Sequence, residues 1–227
     1  MSGSWEIKAS NQVLVGILHT DTTSIAWSFG LRNLKIPGDP ALRTFDPFCP
    51  VAGMPFDHAR NTICQRALEV GARYVFMLDS DVIPPSDAIL RLIAHNKPFI
   101  SGMYCRRSPP HAIPVMIKNG GWYLPPVLGK VESVDLVGSG CLLIDTELFK
   151  KIPPIAPNQG KLAFHWTVDQ KGIVPEGKAL SEDFAYCKHL KDHGIEILVD
   201  TSIECYHVGN AESMYKSYLP SQVRTTT

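Results

Sequence analysis

The sequence has few of the features that would place a chain in a membrane, on a nucleic acid or in an oxidising compartment. Its 22 basic and 22 acidic side chains cancel, which leaves no electrostatic footprint for nucleic acid or an anionic lipid surface. No apolar run approaches the ~18–20 residues that span a bilayer, and the Met-Ser-Gly-Ser-Trp-Glu start has no charged segment leading into an apolar one. The six cysteines stand singly, with no Cys-x-x-Cys pair to bind zinc or cycle redox state. Internal repeats and low-complexity tracts are also missing. The expectation is a soluble, cytoplasmic protein with no membrane segment. At 227 residues, 44% hydrophobic and 19% charged, it is large enough to bury a core as one domain without staples.

What is present is alternation of apolar strands with helical stretches, the pattern of an α/β domain with a largely parallel sheet. Val13 to Leu18 reads as a strand, followed by polar residues and a helix holding Ile25, Trp27 and Leu31. Leu42 to Phe45 is expected as a second strand. Asp57 is expected to cap a helix running to Val70 with Ala59, Ile63 and Ala67 on one face and Gly71 as its stop. Tyr74 to Leu78 is an unbroken apolar strand of the kind buried on both faces. A helix from Asp87 to His95, capped by Ser86, precedes a strand at Phe99 to Tyr104 and then short meander strands. Cys141 to Ile144 is a buried strand introduced by Gly138-Ser139-Gly140, with Asp145 capping a short helix. Ile152 to Leu180 shows no sustained period and reads as a lid loop. Ser181 then caps an amphipathic helix stopped by Gly194, two strands close the domain near residue 210, and 211–227 reads as a peripheral tail.

The chemistry centres on Asp79-Ser80-Asp81 at the carboxyl end of the Tyr74 strand, the edge beyond which open α/β sheets bind ligands. Two carboxylates there repel unless something positive lies between them, and a hard divalent cation bridging to phosphate does this. As turn residues before Pro84-Pro85 the same aspartates would need no ligand. A phosphohydrolase with Asp79 as nucleophile is disfavoured by Ile83 and by the motif's distance from the start of the domain. Glu182 and Asp183 open the amphipathic helix, where they also complement its dipole, and His207 follows a late strand. Arg60 and Asn61, Arg106 and Arg107, and Trp166 in the lid region are further candidates for contacts to a bound ligand.

The segments YVFMLDSDVIPP, VDLVGSGCLLIDTELF, SEDFAYCKHLKDHG and ILVDTSIECYHVG, in that order, resemble the GT-A-fold glycosyltransferases and are similar in style to glycosyltransferase family two, from about Val13 to Gly209. The resemblance implies a Rossmann-type, mostly parallel sheet flanked by helices, and a UDP- or GDP-sugar type donor held through Mn²⁺ or Mg²⁺. It implies Asp81 on the metal, Asp79 near the ribose or the metal, and His207 completing the metal site. Ser80, Arg60, Asn61, Arg107 and Trp166 fall on the donor side, as does His19-Thr20, which stands where the family carries its first-strand signature. The Gly138-Ser139-Gly140 turn would let backbone approach the sugar. Glu182-Asp183 matches the family's acidic pair, with Asp183 as general base of an inverting transfer and Glu182 orienting the acceptor, whose identity stays open. Two other functions share the layout: a catalytically silent nucleotide-sugar-binding module and a nucleotidyltransferase. The latter would want a Gly-rich basic loop after the first strand, which is missing here.

Overall fold

A computed structural model describes residues 12–20, 22–53, 55–107, 113–166, 180–209 and 214–216. In chain order it runs β1 (Val13–His19), α1 (Ile25–Asn33), β2 (Phe48–Ala52), α2 (Phe56–Glu69), β3 (Tyr74–Asp79), β4 (Val82–Ile83), α3 (Ala88–Ala94) and β5 (Phe99–Met103). It continues with β6 (Met116–Lys118), β7 (Gly121–Trp122), β8 (Val131–Val134), β9 (Leu136–Val137), β10 (Cys141–Asp145) and α4 (Leu148–Lys151). The last elements are α5 (Glu182–Asp192), β11 (Ile197–Glu204), β12 (Tyr206–His207–Val208) and β13 (Met214–Lys216).

The main sheet has seven strands in the order β2-β1-β3-β10-β5-β11-β8. β2, β1, β3, β5 and β11 point one way, and β10 and β8 run against them. The expected architecture, a mostly parallel sheet flanked by helices in a single α/β domain, is therefore present. Alternation along β3 shows how both faces are covered: Val75 and Met77 join the core with Ala59, Ile63, Tyr186 and Leu190 from α2 and α5. Tyr74, Phe76 and Leu78 join the opposite core with Trp27, Ile89 and Leu92 from α1 and α3. An apolar strand without polar alternation is what burial on two faces demands. Gly16 on β1 lets α2 settle close to the sheet, since a Cβ there would lie 2.2 Å from the Ile63 side chain.

Several boundaries differ from the sequence reading. Residues 40–42 form a 3-10 turn, and the second strand is β2, an edge strand that tolerates Pro50 because its outer side needs no ladder partner. The α2 N-cap is Pro55, while Asp57 lies buried in the first turn and pairs with Lys161 at 3.2 Å. Asp87, not Ser86, occupies the N-cap of α3, and Glu147, not Asp145, that of α4. Ser181 does occupy the N-cap of α5, but its hydroxyl donates to the Asp183 carboxylate and makes no capping bond to the helix amides. Of the expected lid, residues 152–166 are described and anchored: Ala163 and Phe164 are wholly buried. Residues 167–179 lie outside the described residues. From the expected tail, 214–216 form β13 and pair with β12, placing Tyr215 opposite His207.

Candidate active site

The carboxyl ends of β1 and β3 are neighbours, with Leu18 in register with Asp79. A cleft of about 630 Å³ opens beyond them, bounded by His19, Thr20, Asp79, Ser80, Asp81, Arg60, Arg106, Arg107 and His207. Backbone bonds fix this edge: Ser80 N donates to Leu18 O at 2.9 Å and Asp79 N to Gly140 O at 3.2 Å. The Trp27 indole Nε1 donates to the Asp79 carbonyl at 3.0 Å, tying α1 to the same turn. Gly140 is required here, because a Cβ would come within 3.1 Å of Asp79 Oδ2 and 2.9 Å of Val82.

Under the cleft floor lies a buried charge cluster. Arg60, on the first turns of α2, is 4% exposed, and Glu182, at the start of α5, is equally buried. The Arg60 guanidinium donates through Nη2 to Asp79 Oδ1 at 2.9 Å and through Nε to Glu182 Oε1 at 3.2 Å. Its Nη1 is buried without a hydrogen-bond partner among the described residues, and its Cζ lies 5.8 Å from the Phe164 ring centroid. Burial raises the Asp79 carboxyl above its ordinary range; Arg60 opposes this and Asp81 adds to it. Burial and the adjacent Asp183 likewise raise Glu182 against the pull of Arg60. Burial disfavours the Arg60 charge, yet Asp79, Glu182 and Asp183 together raise its pKa and keep it ionised.

At the mouth, Asp81 Oδ2 accepts from Arg107 Nη1 at 2.8 Å and faces His207 Nε2 at 3.4 Å. Pairing of β12 with β4 delivers the histidine by placing His207 across from Val82. Its other nitrogen, Nδ1, lies 2.6 Å from the Cys105 carbonyl, and the ring stands edge-on to Tyr104 at 5.5 Å. Burial works against the charge on Asp81, but His207 and Arg107 prevail and lower its pKa. His207 is raised by Asp81 in spite of burial.

Other expected site residues are placed differently. Asn61 is 3% exposed and does not border the cleft. Its Nδ2 donates to the carbonyls of Asp57 and Phe164 at 2.6 Å each, and its Oδ1 accepts from Ala163 N at 2.9 Å. It clamps residues 163–164 onto α2. Replacing it with near-isosteric leucine removes the partner of the buried Phe164 carbonyl and Ala163 amide and should lower stability by roughly 2–4 kcal/mol. A urea midpoint equal to wild type would show that the clamp is dispensable. Trp166 is partly buried and outside the cleft border. The Gly138-Ser139-Gly140 turn is fully buried and makes room for Tyr104 as well as Asp79, since a Cβ on Gly138 would lie 2.1 Å from the Tyr104 hydroxyl. Asp183 is half-buried beside the cluster, its Oδ1 accepting from Phe184 N at 2.8 Å and from the Ser181 hydroxyl. Neither Glu182 nor Asp183 borders the cleft. The sequence reading passed over Tyr104, whose hydroxyl accepts from Gly140 N at 3.0 Å, and the tie from Trp27 to Asp79. A tyrosine at the end of a buried strand and a tryptophan in a helix both carry the pattern of core residues.

Among the described residues no three His, Cys, Asp or Glu side chains gather to hold a metal ion; Asp81 and His207 face each other at 3.4 Å at the cleft mouth. No helix among them is long and apolar enough to cross a membrane. The fold has a structural relative. The structure of A197 from STIV superposes with a TM-score of 0.57 at 13% identity, covering 92% of this chain and 95% of that one. At that identity the likeness establishes shared architecture. S. aureus TarS 1-349, solved in complex with UDP-GlcNAc, matches at 14% identity with a TM-score of 0.45, covering 91% of this chain and 58% of that one. No protein-family model and no curated protein matches the sequence.

Proposed function

We propose that the protein transfers a sugar from a nucleoside-diphosphate donor to an acceptor hydroxyl with inversion, and that it uses Mn²⁺ or Mg²⁺. The observation that carries this reading is the convergence of Asp81 Oδ2, His207 Nε2 and Arg107 at the mouth of a cleft on the carboxyl edge of a parallel sheet. The donor atoms suit a cation. A carbonyl can only accept, so the bond to Cys105 puts a proton on His207 Nδ1 and, in the neutral ring, leaves a lone pair on Nε2 facing Asp81. One carboxylate and one imidazole leave positions for diphosphate oxygens and water, as Mg²⁺ and Mn²⁺ prefer. Bound there, the ion would neutralise charge growing on the leaving diphosphate.

The protein's own groups divide the remaining work. Arg107, more than half exposed at the mouth, can leave Asp81 and meet a phosphate oxygen. Arg60 holds Asp79 in one orientation, with Oδ1 engaged and Oδ2 against Gly140 at the cleft wall. Asp183, which stands beside the charge cluster outside the cleft border, is the proposed base for an acceptor that reaches past that border: both of the bonds described fall on Oδ1, and we assign Oδ2 to the acceptor proton. Glu182, bound to Arg60, acts as an anchor of the cluster in this reading.

The test is thermal denaturation with UDP and GDP, in chelator and in Mn²⁺. One diphosphate should raise Tm in Mn²⁺ only, because a ligand of the folded state alone adds stability. Asp81→Ala and His207→Ala should each erase or sharply weaken that response. An equal rise in chelator and in Mn²⁺ would remove the metal from the reading.

A further inference from the structure

Trp122 is a large aromatic residue left 41% exposed, on the short hairpin strand β7. It pairs across to Ile117 on β6, and β6 pairs in turn with β9 immediately before the Gly138 turn. Further backbone bonds join this hairpin to the cleft wall: Gly138 N to Val115 O at 3.0 Å, Val115 N to Tyr104 O at 2.9 Å, and Arg106 N to Ile113 O at 2.9 Å. The side chain that completes the link is Arg106, which borders the cleft and holds its Cζ 5.4 Å from the Trp122 ring centroid. A ring fixed on a braced hairpin, with a cation across it and that cation at the cleft border, continues the candidate active site outward.

We infer that Trp122 and Arg106 form an acceptor subsite for a carbohydrate, with a pyranose ring stacked on the exposed indole and its hydroxyls, or an attached anionic group, within reach of Arg106. A pyranose has an apolar C–H face and a polar rim, and an indole flanked by a guanidinium offers the matching pair of surfaces. The surroundings favour this over a lipid surface. Lys118 pairs with Glu132 at 2.6 Å and Tyr123 donates to the same carboxylate at 3.3 Å, so the lysine of the hairpin is matched by a neighbouring carboxylate rather than offered to anionic headgroups. The catalytic meaning of the subsite rests on the transferase reading, but sugar binding can be measured with no donor present.

The experiment follows the indole N–H resonances of the full chain, which has four tryptophans, during titration with cellobiose, maltose and N,N′-diacetylchitobiose. At least one disaccharide should shift the Trp122 resonance progressively. Saturation transfer to that sugar should fall about ten-fold in Trp122→Ala and be partly kept in Trp122→Phe, as for loss of one stacking contact. Three results overturn the proposal: no disaccharide moves Trp122, saturation transfer is the same in Trp122→Ala, or Trp122 responds to phosphatidylcholine–phosphatidylglycerol vesicles and to no sugar. UDP with Mg²⁺ gives a separate reading through Trp27, whose indole is bonded to the Asp79 carbonyl. A silent Trp27 with a responsive Trp122 would count against the donor assignment and leave the sugar subsite standing.

Discussion

Arg60→Met should lower the free energy of unfolding by roughly 3–5 kcal/mol at neutral pH, the usual cost of removing one member of a buried ion cluster. The variant keeps the packing of the stem but leaves the buried Glu182 carboxylate and the partly buried Asp79 carboxylate without their cation. The pH dependence has a definite sign. Both carboxyls sit above their ordinary range in the folded protein, and losing Arg60 raises them further. A raised folded pKa means that the native state binds the extra protons, so stability is greater at low pH and falls as pH rises through the window between unfolded and folded values. The deficit of Arg60→Met should therefore shrink from pH 7.5 to pH 5 in urea denaturation. Adding Glu182→Gln to Arg60→Met should restore part of the loss, because a neutral amide costs less to bury than an unpaired carboxylate. A deficit independent of pH, or a double variant weaker by the simple sum, would mean that the cluster is not held by charge.

The second large effect belongs to Asp183→Asn, which should cut turnover by a factor on the order of 10² or more while metal-dependent diphosphate binding survives. Asparagine keeps the size and can still accept at its oxygen from Phe184 N, so the start of α5 should stay in place. It cannot take a proton. Glu182→Gln should behave differently, disturbing stability through Arg60 as well as rate, and that contrast separates a base from an anchor. Normal turnover in Asp183→Asn, or a product keeping the donor's anomeric configuration, would remove the inverting mechanism assigned to this residue.

The legible parts of the site were those written as changes of period. β3 and its acids stand out because five apolar residues end abruptly in Asp79-Ser80-Asp81, and α2 and α5 because apolar residues recur at helical spacing before a glycine stop. Misreadings arose where tertiary contacts overrode local pattern. β11 reads as two strands because Asp200, Thr201 and Ser202 interrupt it. In the folded protein Asp200 bonds to His95 at 2.8 Å, and the Thr201 hydroxyl donates to the Val127 carbonyl at 2.7 Å, so the polar residues are satisfied inside one continuous strand. β2 was missed because Pro50 argues against a strand everywhere except at an edge. Asn61 shows a different gap: beside Arg60 on a helix, an amide reads the same whether it faces a ligand or three backbone groups of a distant loop. Only the fold tells them apart.

The position of β10 between β3 and β5 has a consequence for how the chain acquires its structure. During synthesis β1, β2 and β3 can zip together early, but β3 cannot pair with β5, the next main-sheet strand to emerge, because the place between them belongs to a strand beginning at Cys141. Until then one backbone edge of the buried strand β3 is open, and the turn carrying Asp79 lacks its bond from the amide to the Gly140 carbonyl. Nascent chains of this topology expose a sticky edge for more than sixty residues of elongation, an interval in which pairing with another chain competes with maturation. The antiparallel insertion thus ties completion of the candidate-site edge at Asp79 to the arrival of a strand that begins more than sixty residues later.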